Sequence, residues 1–224
     1  MLDVPRDGWR VELPGDVHMV AGDRRAGDYS SRGGWAPRSG VSWLRQVHGA
    51  RALVVANPGE HAGEQADALV TAVPGAVLLV RTADCAPIGL ASAEGVAAAV
   101  HAGWRGLVAG VVDEAVDLMR ALGAGSVFAA LGPCVHPHGY EFSPADLDAV
   151  ARRLGDGVRG VAATGRPALD MPAAVAAALS ACGAQLVARS PVCTHCSDEH
   201  WSWRARRDAG RQGTAVWVGD LPHG

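Results

Sequence analysis

Cys85 and His101 are the side chains in this sequence best placed to do chemistry. Each stands at the polar end of an apolar run: residues 76–80 lead into Thr82-Ala83-Asp84-Cys85, and residues 96–100 lead into His101. A buried strand that ends in a reactive side chain presents chemistry at a sheet edge. Gly103 and Gly106 then let the backbone turn tightly and approach a ligand. Arg105 adds a fixed positive charge suited to an anion. Asp84 is suited to orienting an imidazole, accepting a substrate proton or capping a turn. His48, in Leu44-Arg45-Gln46-Val47-His48-Gly49, has the same kind of context.

Taken singly, a His before Gly is most often a loop residue, and a free Cys is most often a small buried hydrophobe. Their shared position at strand ends joins the three. A Cys/His/His set suits zinc, and three protein ligands leave the fourth position open, as at catalytic sites. Copper takes the same donors. Without metal, Cys85 reads as a nucleophile with His101 as its base.

A second dense segment runs Gly132-Pro133-Cys134-Val135-His136-Pro137-His138-Gly139-Tyr140-Glu141. It reads as a loop after a strand, with Tyr140 and Glu141 facing a pocket and His136 and His138 facing solvent. Cys193-Thr194-His195-Cys196 has C-x-x-C spacing, but with no second such pair it does not define a zinc site by itself. Trp201-Ser202-Trp203-Arg204 and the arginines after it read as pocket wall or packing.

The elements that must position these residues follow from periodicity. Strands are expected at 17–21, 52–56, 68–72, 76–81, 88–91, 96–100, 127–131, 186–189 and 215–218. Their close spacing in the middle of the chain favours antiparallel or mixed pairing over a βαβ series. Helices are expected at 107–122, where Val108, Val111, Val112, Ala115, Val116, Met119 and Leu122 share a face, and at 144–155 and 171–183. Ser143 with Pro144, and Asp170 with Pro172, supply the starts of the last two. Residues 1–40 read as a loop-rich segment with a possible lid from 23 to 40. No internal repeat or linker divides the chain, so 1–224 is expected to be a single α+β domain.

Composition excludes several classes. Of 224 residues, 49% are hydrophobic, which rules out a disordered chain. A net charge of -3 gives no reason to expect nucleic acid. No apolar run approaches the ~20 residues of a membrane helix, and no secretory pattern opens the chain. The expectation is a cytoplasmic protein, with neither membrane nor nucleic acid as partner. Five cysteines in a reducing compartment point to metal binding or catalysis rather than disulfides.

Taken together and in this order, several segments resemble one family. They are Gln46-Val47-His48-Gly49, Ala66-Asp67-Ala68-Leu69-Val70-Thr71, Thr82-Ala83-Asp84-Cys85-Ala86-Pro87, His101-Ala102-Gly103-Trp104-Arg105-Gly106, Gly132-Pro133-Cys134, Tyr140-Glu141 and Ala168-Leu169-Asp170. The sequence resembles the YfiH family, also called multicopper polyphenol oxidoreductase (laccase-like) or purine nucleoside phosphorylase; some members are named peptidoglycan editing factor. The resemblance implies a four-layer α/β/β/α fold with mixed sheets and a metal site, usually zinc, from His48, Cys85 and His101.

It also implies phosphorolysis of purine nucleosides (adenosine, inosine, guanosine, methylthioadenosine), with adenosine deamination as a companion activity. A nucleoside and phosphate are then the expected partners of a monomer. Arg105 is the first residue expected at the anion, with Arg45, Arg25, Arg204 and Arg211 as further substrate contacts, and Asp84 and Glu141 as proton carriers. The alternatives are a copper-dependent polyphenol oxidase, and a peptidoglycan-precursor editing protein or Cys-His hydrolase. Two segments depart from the family pattern. Trp201-Ser202-Trp203-Arg204-Ala205 with Ala209-Gly210-Arg211 stands where F-S-x-R-R and T-G-R are usual. Asp23-Arg24-Arg25-Ala26-Gly27-Asp28-Tyr29-Ser30 stands for T-T-R-x-G-G-x-S. Both bear on substrate preference.

Overall fold

A computed structural model describes residues 4–30 and 40–221. The chain opens with a hairpin of β1 (Gly8–Leu13) and β2 (Val17–Gly22). Four short strands follow: β3 (Val41–Arg45), β4 (Ala52–Val55), β5 (Glu64–Gln65) and β6 (Ala68–Thr71). Next come β7 (Val77–Thr82), β8 (Ala86–Ser92) and β9 (Ala97–Ala102), then helices α1 (Trp104–Ala109) and α2 (Val111–Ala121). The second half holds β10 (Val127–Leu131), α3 (Pro144–Leu154), β11 (Arg159–Val161), β12 (Pro167–Leu169), α4 (Met171–Ala181), β13 (Gln185–Arg189), α5 (Trp203–Arg206) and β14 (Gln212–Val218).

These strands build two mixed sheets. The first has the order β1-β2-β14-β7-β3-β5 and the second β13-β10-β8-β9-β6-β4; β11 and β12 form a separate pair. Parallel neighbours are β3 with β7 and β5, β4 with β6, and β10 with β13.

The pleat sorts side chains between layers. In β9, Ala98, Val100 and Ala102 pack with Val112, Val116 and Met119 of α2, while Ala97 and Ala99 pack with Met19, Leu78 and Val80 of the first sheet. All six residues of this strand are buried, and four of them are alanines, which lets both layers come close. Gly89 in β8 serves the same purpose, since a Cβ there would lie 2.7 Å from the Met19 sulfur. The outer face of the first sheet buries Val20, Val77, Leu79, Ala215 and Trp217 with Tyr29. Among the described residues, Val4, Ala26, Trp43 and Leu221 pack against this cluster.

The structure corrects some expected boundaries. The helix read as 107–122 starts at Trp104 and is interrupted at Gly110, which adopts the left-handed conformation (φ 93°) as the C-cap of α1. A sidedness pattern alone does not reveal a break that leaves both halves amphipathic. The segment read as loop-rich contains β1, whose alternating exposed and half-buried residues mark an edge strand. Half of the expected lid, 31–39, lies outside the described residues.

Candidate active site

Two of the places where the chain crosses from the first sheet to the second carry members of the triad. One is the loop from β3 to β4, which carries His48; the other is the turn from β7 to β8, which carries Cys85. Ala86 pairs with Ala102 and Pro87 with His101, so Cys85 and His101 lie near each other at the ends of adjacent strands. Both have the parity of the face that packs on the first sheet. The three side chains therefore meet at the mouth between the sheets.

Both crossings use left-handed backbone at non-glycine residues, His48 (φ 60°) and Asp84 (φ 100°). Such conformations cost about 1–3 kcal/mol and persist only where their surroundings hold them. Asp67 holds the first crossing. Its fully buried carboxylate accepts hydrogen bonds from the backbone N–H of His48 (2.9 Å) and of Gly49 (2.8 Å). It also lies 2.8 Å from Nδ1 of His101. With the proton on Nδ1, the other ring nitrogen of His101 is left free to bind a metal, the usual work of a carboxylate behind a ligand imidazole.

Asp84 holds the second crossing. One carboxylate oxygen accepts from Thr194 Oγ1 (2.8 Å) and Ser202 Oγ (2.7 Å), and the other from the Arg204 N–H (2.6 Å).

Nε2 of His48 lies 3.8 Å from Cys85 Sγ, and one ligand atom from each of His48, Cys85 and His101 falls within 4.8 Å of the other two. Tetrahedral zinc with these donors needs separations of about 3.3–3.6 Å, so a small closure brings them into place. Gly103 makes room, because a Cβ there would lie 2.7 Å from the His48 ring and 3.3 Å from Cys85 Sγ. Burial alone would raise the Cys85 thiol, but the His101 imidazolium beside it, helped by His48, brings it down to about 6. Burial opposes protonation of His101, yet the Cys85 thiolate and Asp67 raise it to about 9. A soft thiolate, two imidazoles and a carboxylate behind one of them fit zinc or copper.

The triad opens into a recess of about 400 Å³ lined also by Trp104, Arg105, Tyr140, Trp203, Arg204 and Arg211. A second recess of about 450 Å³ adjoins it, sharing Gln46, Arg81, Trp203 and Arg211 and adding Arg45. Arg204 lies over the Tyr140 ring (4.8 Å) and Arg105 over Trp104 (4.3 Å). Burial, with Arg211 nearby, lowers the Arg81 guanidinium. Arg81 is nonetheless held firmly: it donates to the carbonyl of Leu44 (2.9 Å), and the Gln46 amide brackets its backbone.

A family described as multi-copper polyphenol oxidoreductase laccase matches residues 20–219. The chain belongs to this family. Three relatives, each named purine nucleoside phosphorylase, show how close its members come. The protein SCO2081 of Streptomyces coelicolor is 44% identical over 182 residues, covering 80% of this chain and 75% of the relative. Rv2149c of Mycobacterium tuberculosis is 40% identical over 185 residues, covering 81% and 74%. YfiH of Escherichia coli is 33% identical over 187 residues, covering 79% and 73%. Among solved structures, the Neisseria meningitidis protein NMB0706 matches with a TM-score of 0.82 at 22% identity, covering 96% of this chain and all (100%) of that one. YlmD of Geobacillus stearothermophilus matches with a TM-score of 0.74 at 26% identity, covering 88% and 78%. These likenesses show the YfiH-like α+β fold.

Within this family fold, His48, Cys85, His101, Asp84, Arg105, Arg204 and Arg211 come together around one recess, and Arg45 lines the adjoining one. Two expected residues do not join them. Arg25 turns to Asp23, 2.6 Å away, and is not among the lining residues. Glu141 accepts from Thr164 Oγ1 (2.5 Å) and pairs with Arg166 (2.9 Å), so Tyr140 alone of that pair faces the recess. Sequence reasoning gave no role to Asp67, Arg81 or Gln46. The available sign for Asp67 was an acid immediately before the apolar run Ala68-Leu69-Val70, a place where burial demands partners.

Proposed function

We propose that the chain is a purine nucleoside phosphorylase that takes adenosine, inosine or a related nucleoside with phosphate to free base and pentose-1-phosphate. The observation that carries this reading is the divided recess. A Cys/His/His triad and aromatic rings line one part, and Arg81, Arg204 and Arg211 line the part leading into the neighbouring recess. Together the two volumes suit a nucleoside and a phosphate side by side.

Arginines bind phosphate through paired charge-assisted hydrogen bonds, and Arg81 is already fixed by Gln46 and Leu44. Exposed Trp203 and the face of Trp104 offer surfaces on which a purine stacks. In phosphorolysis a phosphate oxygen bonds to the anomeric carbon as the glycosidic bond breaks. The bonding electrons leave with the base, which takes up a proton. Holding both reactants in line accounts for much of such a rate. The part Asp84 plays here is positioning, since its carboxylate fixes Thr194, Ser202 and the backbone of Arg204.

His48, Cys85 and His101 would hold zinc, which supplies Lewis-acid chemistry at the mouth of the recess. A metal held there would also supply the water-activating chemistry that adenosine deamination needs, which extends the reading to that reaction. The test is incubation of zinc-loaded protein with inosine or adenosine and phosphate, followed by detection of free base and pentose-1-phosphate. No product at micromolar enzyme over hours would sink it.

A second reading has its own observation. Cys85, His101 and Asp67 stand in the order nucleophile, base and orienting carboxylate, with the thiol brought down to about 6. In metal-free protein this arrangement suits a Cys-His hydrolase acting on amide bonds, cell-wall precursors included. A covalent adduct at Cys85 with an amide or ester substrate, suppressed by zinc, would support it. The copper oxidase alternative rests on the donor set and is tested by metal content and phenol oxidation.

A further inference from the structure

The described residues contain a second group of nitrogen and sulfur donors. It is joined to Asp84, the neighbour of Cys85, through Thr194. The 3-10 turn Pro137–Gly139, with His136 at its start, faces the turn formed by residues 193–196. One ligand atom from each of His136, His138 and Cys193 falls within 4.8 Å of the other two. Nε2 of His138 lies 2.9 Å from Sγ of Cys196, whose thiol also contacts that of Cys193. We propose that His136, His138, Cys193 and Cys196 form a second metal site, a closed structural zinc site distinct from the triad.

Three features beyond donor type support this. The backbone N–H of His136 donates to Cys193 Sγ at 3.3 Å, a bond that stabilises a thiolate ligand. The N–H groups of Cys196 and Ser197 both bond to the Cys193 carbonyl (3.2 and 3.1 Å), giving the tight turn that brings two cysteines to one ion. Gly139 lets the two turns close, since a Cβ there would overlap the His195 ring. With Cys196 as the fourth, two sulfur and two nitrogen donors would fill a tetrahedral zinc and leave no open position, the mark of a structural rather than a catalytic site.

The site has a consequence for the recess. Thr194 sits between the two cysteines and donates to Asp84, while its N–H bonds to the Cys134 carbonyl (3.0 Å). A metal clamping 193 and 196 to 136 and 138 thus fixes the segment that leads to Trp203 and Arg204. The proposal stands whatever reaction the recess performs.

Metal analysis of purified, zinc-equilibrated protein tests it, with circular dichroism to confirm that each variant folds. Wild type is expected to hold about two zinc ions per chain, and a His138→Gln, Cys196→Ser variant about one. A His48→Gln, His101→Gln variant is also expected to hold about one, and the combination none. His138 and Cys196 are exposed, so their replacement leaves the core intact. Cobalt-loaded His48→Gln, His101→Gln protein gives the second measurement: thiolate-to-cobalt charge-transfer absorption that weakens on adding Cys196→Ser. One zinc in wild type together with none in the triad variant overturns the proposal. So does full zinc content in His138→Gln, Cys196→Ser, or isolation of Cys193 and Cys196 as a disulfide with a single metal ion bound.

Discussion

Asp67 takes hydrogen bonds from the loop that bears His48 and lies against the imidazole of His101, two of the three side chains proposed to hold a metal. Replacing it with Asn keeps the shape but removes the charge and sets an amide N–H₂ against backbone donors. Loss of such a carboxylate weakens metal binding by about 10–100-fold, which competition against a chromophoric chelator would read for Asp67→Asn. Alkylation of metal-free protein at Cys85 gives a second outcome. The lowered thiol is a thiolate above about 6, so its reaction rate should fall as pH drops below that point. Mass mapping of iodoacetamide labelling across pH 5–9 checks it; a midpoint near the ordinary ~8.5 of a free thiol would contradict the pairing with His101. The triad was legible because His101 ends an apolar run, Cys85 follows one closely, and His48 comes soon after the ordered stretch at Trp43-Leu44, a pattern of sequence order. Asp67 and Arg81 were not, because their importance lies in contacts across the fold. Glu141 misled for a related reason: its neighbour Tyr140 faces the recess, and adjacent side chains here point in different directions.

At the level of elements, the site depends on where strands change sheets. The strand cores around 68–71, 77–82, 97–102 and 127–131 could be read from apolar runs, though Ala-rich β9 has little intrinsic strand preference. Sandwiching between a helix layer and a second sheet overrides that preference, because only small residues fit on both faces. Which strands pair, and that β3 and β7 belong to one sheet while β4 and β8 belong to the other, is a long-range fact with no local signature. The short N-terminus of α1 shows how finely this region is packed. Gly103→Ala places a methyl against His48 and Cys85. Its expected result is intact secondary structure by circular dichroism with zinc binding at the triad weakened at least tenfold. Unchanged affinity would mean that the His48 loop moves freely. Ser202 offers a complementary case. Its hydroxyl donates to Asp84 and accepts the N–H of Ala205 at the start of α5. Ser202→Ala should loosen Trp203 and Arg204, raising KM for phosphate several-fold more than it lowers kcat in a phosphorolysis assay.

Across the whole molecule, the two proposed metal sites belong to one connected part of the fold. Helices cover one face of the second sheet, and no described helix is long and apolar enough to cross a membrane. The triad ties the ends of β8 and β9 to the loop after β3, while the second group ties the segment after β10 to the segment after β13. Asp84 and Thr194 bridge them through a 2.8 Å hydrogen bond between buried groups. A ligand that binds only the folded state stabilises it by about 2.7 kcal/mol at a hundred times its Kd, and about 1 kcal/mol moves Tm by roughly 2–4 °C in a chain of this size. Chelation of wild-type protein should therefore lower Tm by about 5–10 °C for each ion removed. Because the sites share the Asp84–Thr194 bond, their contributions should not add. In a double-mutant cycle, the loss in His101→Gln with Cys196→Ser should differ from the sum of the single losses by more than the ~0.5 kcal/mol seen for independent positions. Thr194→Val removes the bridging hydroxyl and keeps the volume, so in its background the same cycle should become additive. Additivity in both backgrounds would show that the sites stabilise separate parts of the fold. Coupling that persists without the hydroxyl would place the connection instead in the parallel bridge between Cys134 and Cys193.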